Sequence, residues 1–202
     1  MKEFNIVLAG VGGQGTLLAA EAIGVAAVKD DLNVRVSEIH GMAQRGGAVV
    51  STVRIGETAL ASTVLEGQAD VILGFEPFET LRNLKYASEK TLIIMNTERL
   101  PPTELAAKNL KYPDIEELVK KVHLFTSHVL LVEAPRLAKE AGTSLAQNVV
   151  MLGALAGTEV LPVKTESLKE AIKELVPERH LEVNLRAFKL GQASVREGKK
   201  KA

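Results

Sequence analysis

Residues 4–29 join three patterns that few folds accommodate together. Phe4-Asn5-Ile6-Val7-Leu8-Ala9 is an apolar run of strand length. Gly10-Val11-Gly12-Gly13-Gln14-Gly15 is a glycine-rich turn, and residues 16–29 read as an alanine-rich helix. Glycine lacks a Cβ, so backbone N–H groups there can approach a ligand or another backbone. The helix that follows offers unpaired donors and a partial positive charge. G-x-G-x-x-G between a strand and a helix is the setting a phosphate-binding turn requires. Two readings stay open on these residues. One is a dinucleotide site, with Glu38 near the end of the second strand as the ribose-binding acid. The other is tight packing of a helix on a strand.

The chain has 202 residues, enough for one sizeable core. We expect a single domain over residues 1–195, followed by a basic, flexible tail over 196–202. Lys plus Arg and Asp plus Glu number 25 each. That balance supplies no field for nucleic acid or an anionic membrane. Aromatic residues are 3% with no Trp, which argues against a stacking platform for single strands. The absence of cysteine excludes disulfides, a thiol nucleophile and cysteine-ligated clusters on this chain. No apolar run reaches the roughly 20 residues of a membrane span. Residues 1–6 lack the long apolar stretch of a secretory signal, so cytoplasmic residence is the expectation.

Along the chain, strands are predicted at 4–9, 34–39, 48–55, 70–75, 91–95 and 123–126. Helices are predicted at 16–29, from Pro77 to about Ser88, and over 115–122. A further helix is expected from Ser127 to Gly142, and another from a capping box at Ser144 to Gly157. A second capping box begins at Ser167. The last helix follows Pro177 and stops at Gly191. Alternating strands and helices mean an α/β fold: three layers, α/β/α, with a mostly parallel, mixed sheet and a Rossmann-like start. The mixture is predicted because strands 34–39 and 48–55 flank only a short connection.

That connection, His40-Gly41-Met42-Ala43-Gln44-Arg45-Gly46-Gly47, is polar where a Rossmann unit would begin a crossover helix. Ligands of α/β sheets bind at the carboxyl ends of strands, where this loop and Gly10–Gly15 can meet. Glu38 can orient His40 or pair with Arg45. Gln14 and Gln44 supply amides, and Arg45 can clamp a carboxylate or phosphate. Caps on an irregular loop, or a subunit contact, are the plainer alternative for Gln44 and Arg45. Glu76, before Pro77, reads as an acid favoured by a helix dipole. His123 and His128 have no third ligand nearby, so no metal site is predicted.

Taken together, these segments resemble the gamma-type module of the 2-oxoacid:ferredoxin oxidoreductases, and within it the indolepyruvate branch. Gly10–Gly15 and Glu38–Gly47 carry the resemblance, with Asp70-Val71-Ile72-Leu73-Gly74-Phe75-Glu76-Pro77, Asn148-Val149-Val150-Met151-Leu152-Gly153-Ala154 and Asn184-Leu185-Arg186-Ala187-Phe188-Lys189-Leu190-Gly191. The resemblance implies a large alpha subunit bearing thiamine diphosphate, Mg and 4Fe-4S clusters, ferredoxin as acceptor and coenzyme A as co-substrate. It implies that this chain carries no cofactor, is inactive alone, and can homodimerise within the heteromer. No general acid or base is assigned. The contact edge is Gly10, Gly12, Gly13, Gln14, Gly15, Glu38, His40, Gln44, Arg45, Gly46 and Gly47. A free-standing NAD(P)-binding oxidoreductase is the alternative of another class, and a pyruvate, branched-chain or 2-oxoglutarate gamma subunit the alternative within the family.

Overall fold

The computed structural model describes residues 3–40, 46–103 and 111–199. One sheet in the order β2-β3-β1-β4-β5-β6 organises them. Its strands are β1 (Phe4–Val11), β2 (Val34–His40), β3 (Ala48–Ile55), β4 (Val71–Gly74), β5 (Leu92–Asn96) and β6 (Val129–Val132). The α-helices are α1 (Thr16–Lys29), α2 (Pro77–Arg82), α3 (Ile115–His123), α4 (Ala134–Ala141), α5 (Gln147–Thr158), α6 (Thr165–Leu175) and α7 (Leu181–Lys199).

The side-chain period of a strand explains the layers. Ile6 and Leu8 of β1, Val71 and Leu73 of β4, and Ile94 of β5 face α1 and α4–α7. Val7, Ile72, Ile93 and Met95 alternate with them and face Leu84 and Val122 on the other side. Strands buried on both faces read as continuous apolar runs, as these do. β1 pairs parallel with β4, β4 with β5, and β5 with β6. β3 runs antiparallel to both β1 and β2. The sheet is therefore mixed and mostly parallel, as the pattern predicts. The Rossmann-like start ends at α1, because β3 lies where the second parallel strand of a Rossmann sheet would be.

Several predicted boundaries are corrected. The strand expected at 123–126 is the end of α3 and a turn, and Leu124 and Phe125 are exposed. The apolar run of β6 (Val129–Val132) is the strand instead, and a helix begins only at Ala134. Thr143, not Ser144, caps the turn before α5 by accepting from Leu145 N. Ser167 does not cap α6; its hydroxyl donates to Asp30 Oδ1 at 2.7 Å. Asp30 Oδ2 also accepts from Lys164 N at 2.6 Å, so the end of α1 caps α6. Helix α2 ends at Arg82 and a 3-10 turn at Leu84–Tyr86 follows.

Gly157 and Gly191 do not stop their helices. A Cβ on Gly191 would lie 2.0 Å from Val150 O, and one on Gly153 2.0 Å from Phe188 O. These glycines let α5 and α7 touch backbone to backbone. Helix α7 continues past Gly191 to Lys199, with Arg196 paired to Glu159 at 3.0 Å.

Candidate functional site

The glycine turn sits at the carboxyl end of β1, the centre of the sheet. Gln14 holds its shape. Its Oε1 accepts from Val11 N at 2.8 Å, and its Nε2 donates to Phe75 O at 2.9 Å. Gly10 is required by crowding, since a Cβ there would lie 2.8 Å from Thr16 Oγ1 and 2.9 Å from Phe75 Cβ. Gly15 has φ +74°, and a Cβ on it would meet Asn148 Nδ2 at 2.5 Å. Gly13 has φ +103° and faces open space.

The two loops that sequence reasoning brings to one edge do meet there. Gly12 N donates to Gly47 O at 2.8 Å, and Gly46 N donates to Gly12 O at 3.2 Å. These bonds extend the β1–β3 ladder beyond both strands. Thr103, which sequence reasoning missed, joins them: its N–H donates to Gly46 O at 2.9 Å and its hydroxyl to the same oxygen at 3.1 Å. Gln44 and Arg45 lie outside the described residues, as does the side chain of His40.

Glu38 is placed differently from a ribose-binding acid. It pairs in register with Ser51 of β3, which in turn pairs with Leu8 of β1. A whole strand separates it from the glycine turn, about 10 Å at two strand spacings.

The first turn of α1 has no capping side chain and no acid, and it buries the Thr16 hydroxyl. That hydroxyl has no hydrogen-bond partner among the described residues. Asn148, at the start of α5, lays its amide on Gly15 and is also buried. Backbone N–H groups at a helix end, a hydroxyl and an amide form a donor set suited to an anion. Sequence reasoning passed over Thr16 and carried Asn148 only within a motif. Neither has a local signal; the placement of α5 brings them together.

Beside this turn, Phe75 O accepts from both Gln14 and Asn96, the latter at 3.0 Å. Glu76 follows, fully buried at the N-cap of α2. Its Oε2 accepts from Glu79 N at 2.8 Å, and its Oε1 accepts from the Tyr112 hydroxyl. Burial pushes its carboxyl up to about 7, although both hydrogen bonds pull the other way. The dipole-favoured acid of the sequence is thus a cap, with a tyrosine partner that the sequence did not reveal.

Among the described residues, no group of three or more His, Asp or Glu could hold a metal ion. No helix among them is long and apolar enough to cross a membrane.

Comparison with known proteins decides the family. The family model "Pyruvate ferredoxin/flavodoxin oxidoreductase" matches residues 5–194. The chain belongs to that family. It is 43% identical over 198 residues to the indolepyruvate oxidoreductase subunit IorB of Thermococcus kodakarensis, covering 98% of each chain. The common subunit gamma of the pyruvate/ketoisovalerate oxidoreductases of the same organism is 29% identical over 167 residues, 82% of each chain. A solved 2-oxoglutarate:ferredoxin oxidoreductase from Magnetococcus marinus shares the fold, with a TM-score of 0.71 at 22% identity. The likeness covers 98% of this chain and 32% of that one, so the same fold there forms part of a longer chain. The family members compared by sequence are subunits of oxidoreductases acting on 2-oxoacids.

Proposed function

We propose that this chain is the small subunit of an indolepyruvate oxidoreductase, working in the cytoplasm against a larger alpha subunit. The 43% identity to the IorB subunit over 98% of both chains carries this reading. The reaction takes an arylpyruvate and coenzyme A to an arylacetyl-CoA and carbon dioxide, and passes two electrons to ferredoxin. Thiamine diphosphate supplies the carbanion chemistry and 4Fe-4S clusters take up the electrons. This chain has no cysteine with which to ligate a cluster. The larger subunit is the place of both groups in this proposal, and no reaction step is assigned to this chain.

What this chain's residues fit is an anion. The start of α1, the Thr16 hydroxyl and the Asn148 amide would receive a phosphate of coenzyme A. Glu38, His40, Gln44 and Arg45 would flank that contact edge. Exposed Leu17, Leu145 and Ile39 stand at the same edge and favour contact with another protein.

The test is to assemble this chain with the large subunit and measure arylpyruvate turnover against coenzyme A concentration. Thr16→Val and Asn148→Leu should raise the KM for coenzyme A while leaving kcat within about twofold, as loss of uniform binding does. Arg45→Ala should weaken assembly or raise a Michaelis constant. Unchanged constants and assembly in all three variants would remove the edge from the mechanism. Faster turnover of pyruvate than of arylpyruvates would move the complex to another branch. Saturable micromolar binding of NAD by the free chain would favour the dinucleotide reading instead.

A further inference from the structure

Glu76 belongs to a connected set of contacts that the proposed function does not use. Phe75 N donates to Ala9 O at 2.7 Å, tying the end of β4 to β1. Phe75 O holds Gln14 of the glycine turn and Asn96 at the end of β5. Glu76 then reaches Tyr112, three residues before α3, and the Tyr112 ring lies 6.2 Å from that of Phe78. A fully buried carboxyl is thus the point where the entry to α3 is fastened to the strand that also anchors the glycine turn.

We propose that Glu76 and Tyr112 form a proton-dependent clasp, which holds the residues entering α3 on the end of β4, next to the glycine turn.

The chemistry follows from the donors and acceptors. An ionised Glu76 accepts at both oxygens, one from Glu79 N and one from the Tyr112 hydroxyl. The phenol bond is then charge-assisted, and such bonds are roughly twice as strong as neutral ones. When a solvent proton binds the carboxyl, it occupies one of the two oxygens. The acid then donates to the phenol oxygen, and the phenolic hydrogen must turn away. One proton is gained, no covalent bond between heavy atoms changes, and the bond reverses into a weaker, neutral one. The charged groups around the pair are few. Glu79 is buried beside it and paired to Arg82 at 3.1 Å; Arg99, near Tyr112, pairs with Asp114 at 3.7 Å. Burial is the largest influence on Glu76 and brings its titration near neutrality. With Glu76 buried whether or not Tyr112 is bound, the phenol bond is what lowers its affinity for a proton, so the clasp tightens as pH rises through neutrality.

Tyr112 can report on this directly. The chain has two tyrosines and no tryptophan, so Tyr86→Phe leaves Tyr112 as the only strong emitter. A carboxylate acceptor quenches phenol emission more than a carboxylic acid does. In the full-length Tyr86→Phe chain, emission should fall in a single one-proton step centred near neutrality. Glu76→Gln, which keeps an acceptor for Glu79 N, should abolish the step. Hydrogen exchange gives a second arm in the chain with both tyrosines. Protection of the Lys111, Tyr112 and Asp114 amides and of Leu118 N–H, which donates to Asp114 O at 3.0 Å, corrected for intrinsic rates, should rise across the same pH interval, and Tyr112→Phe should remove the rise. No emission step between about pH 5 and about pH 9, a step that persists in Glu76→Gln, or a protection profile indifferent to Tyr112→Phe would each overturn the clasp. All of this is read on the free chain, so it stands or falls separately from the subunit assignment.

Discussion

At the scale of single residues, Thr16 separates stability from use. A buried hydroxyl without a partner costs about 1–3 kcal/mol. Thr16→Val should therefore leave the free chain as stable as before or raise it by about 1 kcal/mol, read as a higher denaturation midpoint, while in the proposed complex it would weaken coenzyme A. Glu76 has the opposite character. Its carboxyl is raised by burial from 4.5 to about 7, so the folded chain holds a proton that the unfolded chain releases. The stability it contributes is complete below pH 4.5 and is lost as pH rises through about 7. A lift of this size is worth about 3 kcal/mol. The unfolding temperature should fall between about pH 5 and about pH 8, and Glu76→Gln should flatten that fall. The stronger phenol bond of the ionised form offsets only part of the cost of a buried charge. The site was readable where the glycines stand, since a strand, a glycine turn and a helix are contiguous. The meeting of Gly12 with Gly46 and Gly47 followed from the rule about strand ends. Thr16, Thr103, Tyr112 and Asn148 were not readable, because residues far apart in the chain create their roles.

At the scale of elements, β1, α1 and β3 could be read closely because their patterns are local: continuous burial, alanine spacing and a β-branched run. The glycines of α5 and α7 could not. Gly157 and Gly191 have the form of helix stops, and only the neighbouring helix shows them to be contact points. Gly153→Ala should force α5 and α7 apart and cost roughly 1–3 kcal/mol in chemical denaturation, with Gly191→Ala similar. β6 failed for another reason: residues 123–126 and 129–132 are both short runs with apolar members, and periodicity cannot rank such runs. Ser167 has the form of a cap, but its hydroxyl is taken by Asp30. Burial opposes ionisation of Asp30, yet hydrogen bonds from Ser167 and Lys164 hold its carboxyl below the usual range. Asp30→Ala should cost about 1 kcal/mol near neutral pH, as loss of a cap does. Its effect should shrink in acid, where Asp30 of the unmutated chain is itself protonated.

At the scale of the whole molecule, the open edge predicts a distinction between folding and assembly. Leu17 and Leu145 are exposed, so Leu17→Glu with Leu145→Glu should leave thermal unfolding of the free chain nearly unchanged. The same pair should reduce co-purification with the larger subunit proposed as its partner at least tenfold. Intact co-purification would show that docking uses another face. The order of the strands limits what else this edge can do. β1 leads into α1 on one face and β4 into α2 on the other, so the divide between them is where the direction of winding changes. Open α/β sheets commonly leave a crevice at that divide, and dinucleotides lie across it. Here the Gln14 side chain bridges it, from Val11 N on one bank to Phe75 O on the other. A phosphate at the end of α1, as proposed, would not obstruct this bridge, whereas an extended cofactor could not continue toward β4 without expelling that amide. In the proposed reading, the glycine turn would be a berth for one charged group at the rim of the sheet, and the rest of a long ligand would lie outward, where a second protein would enclose it.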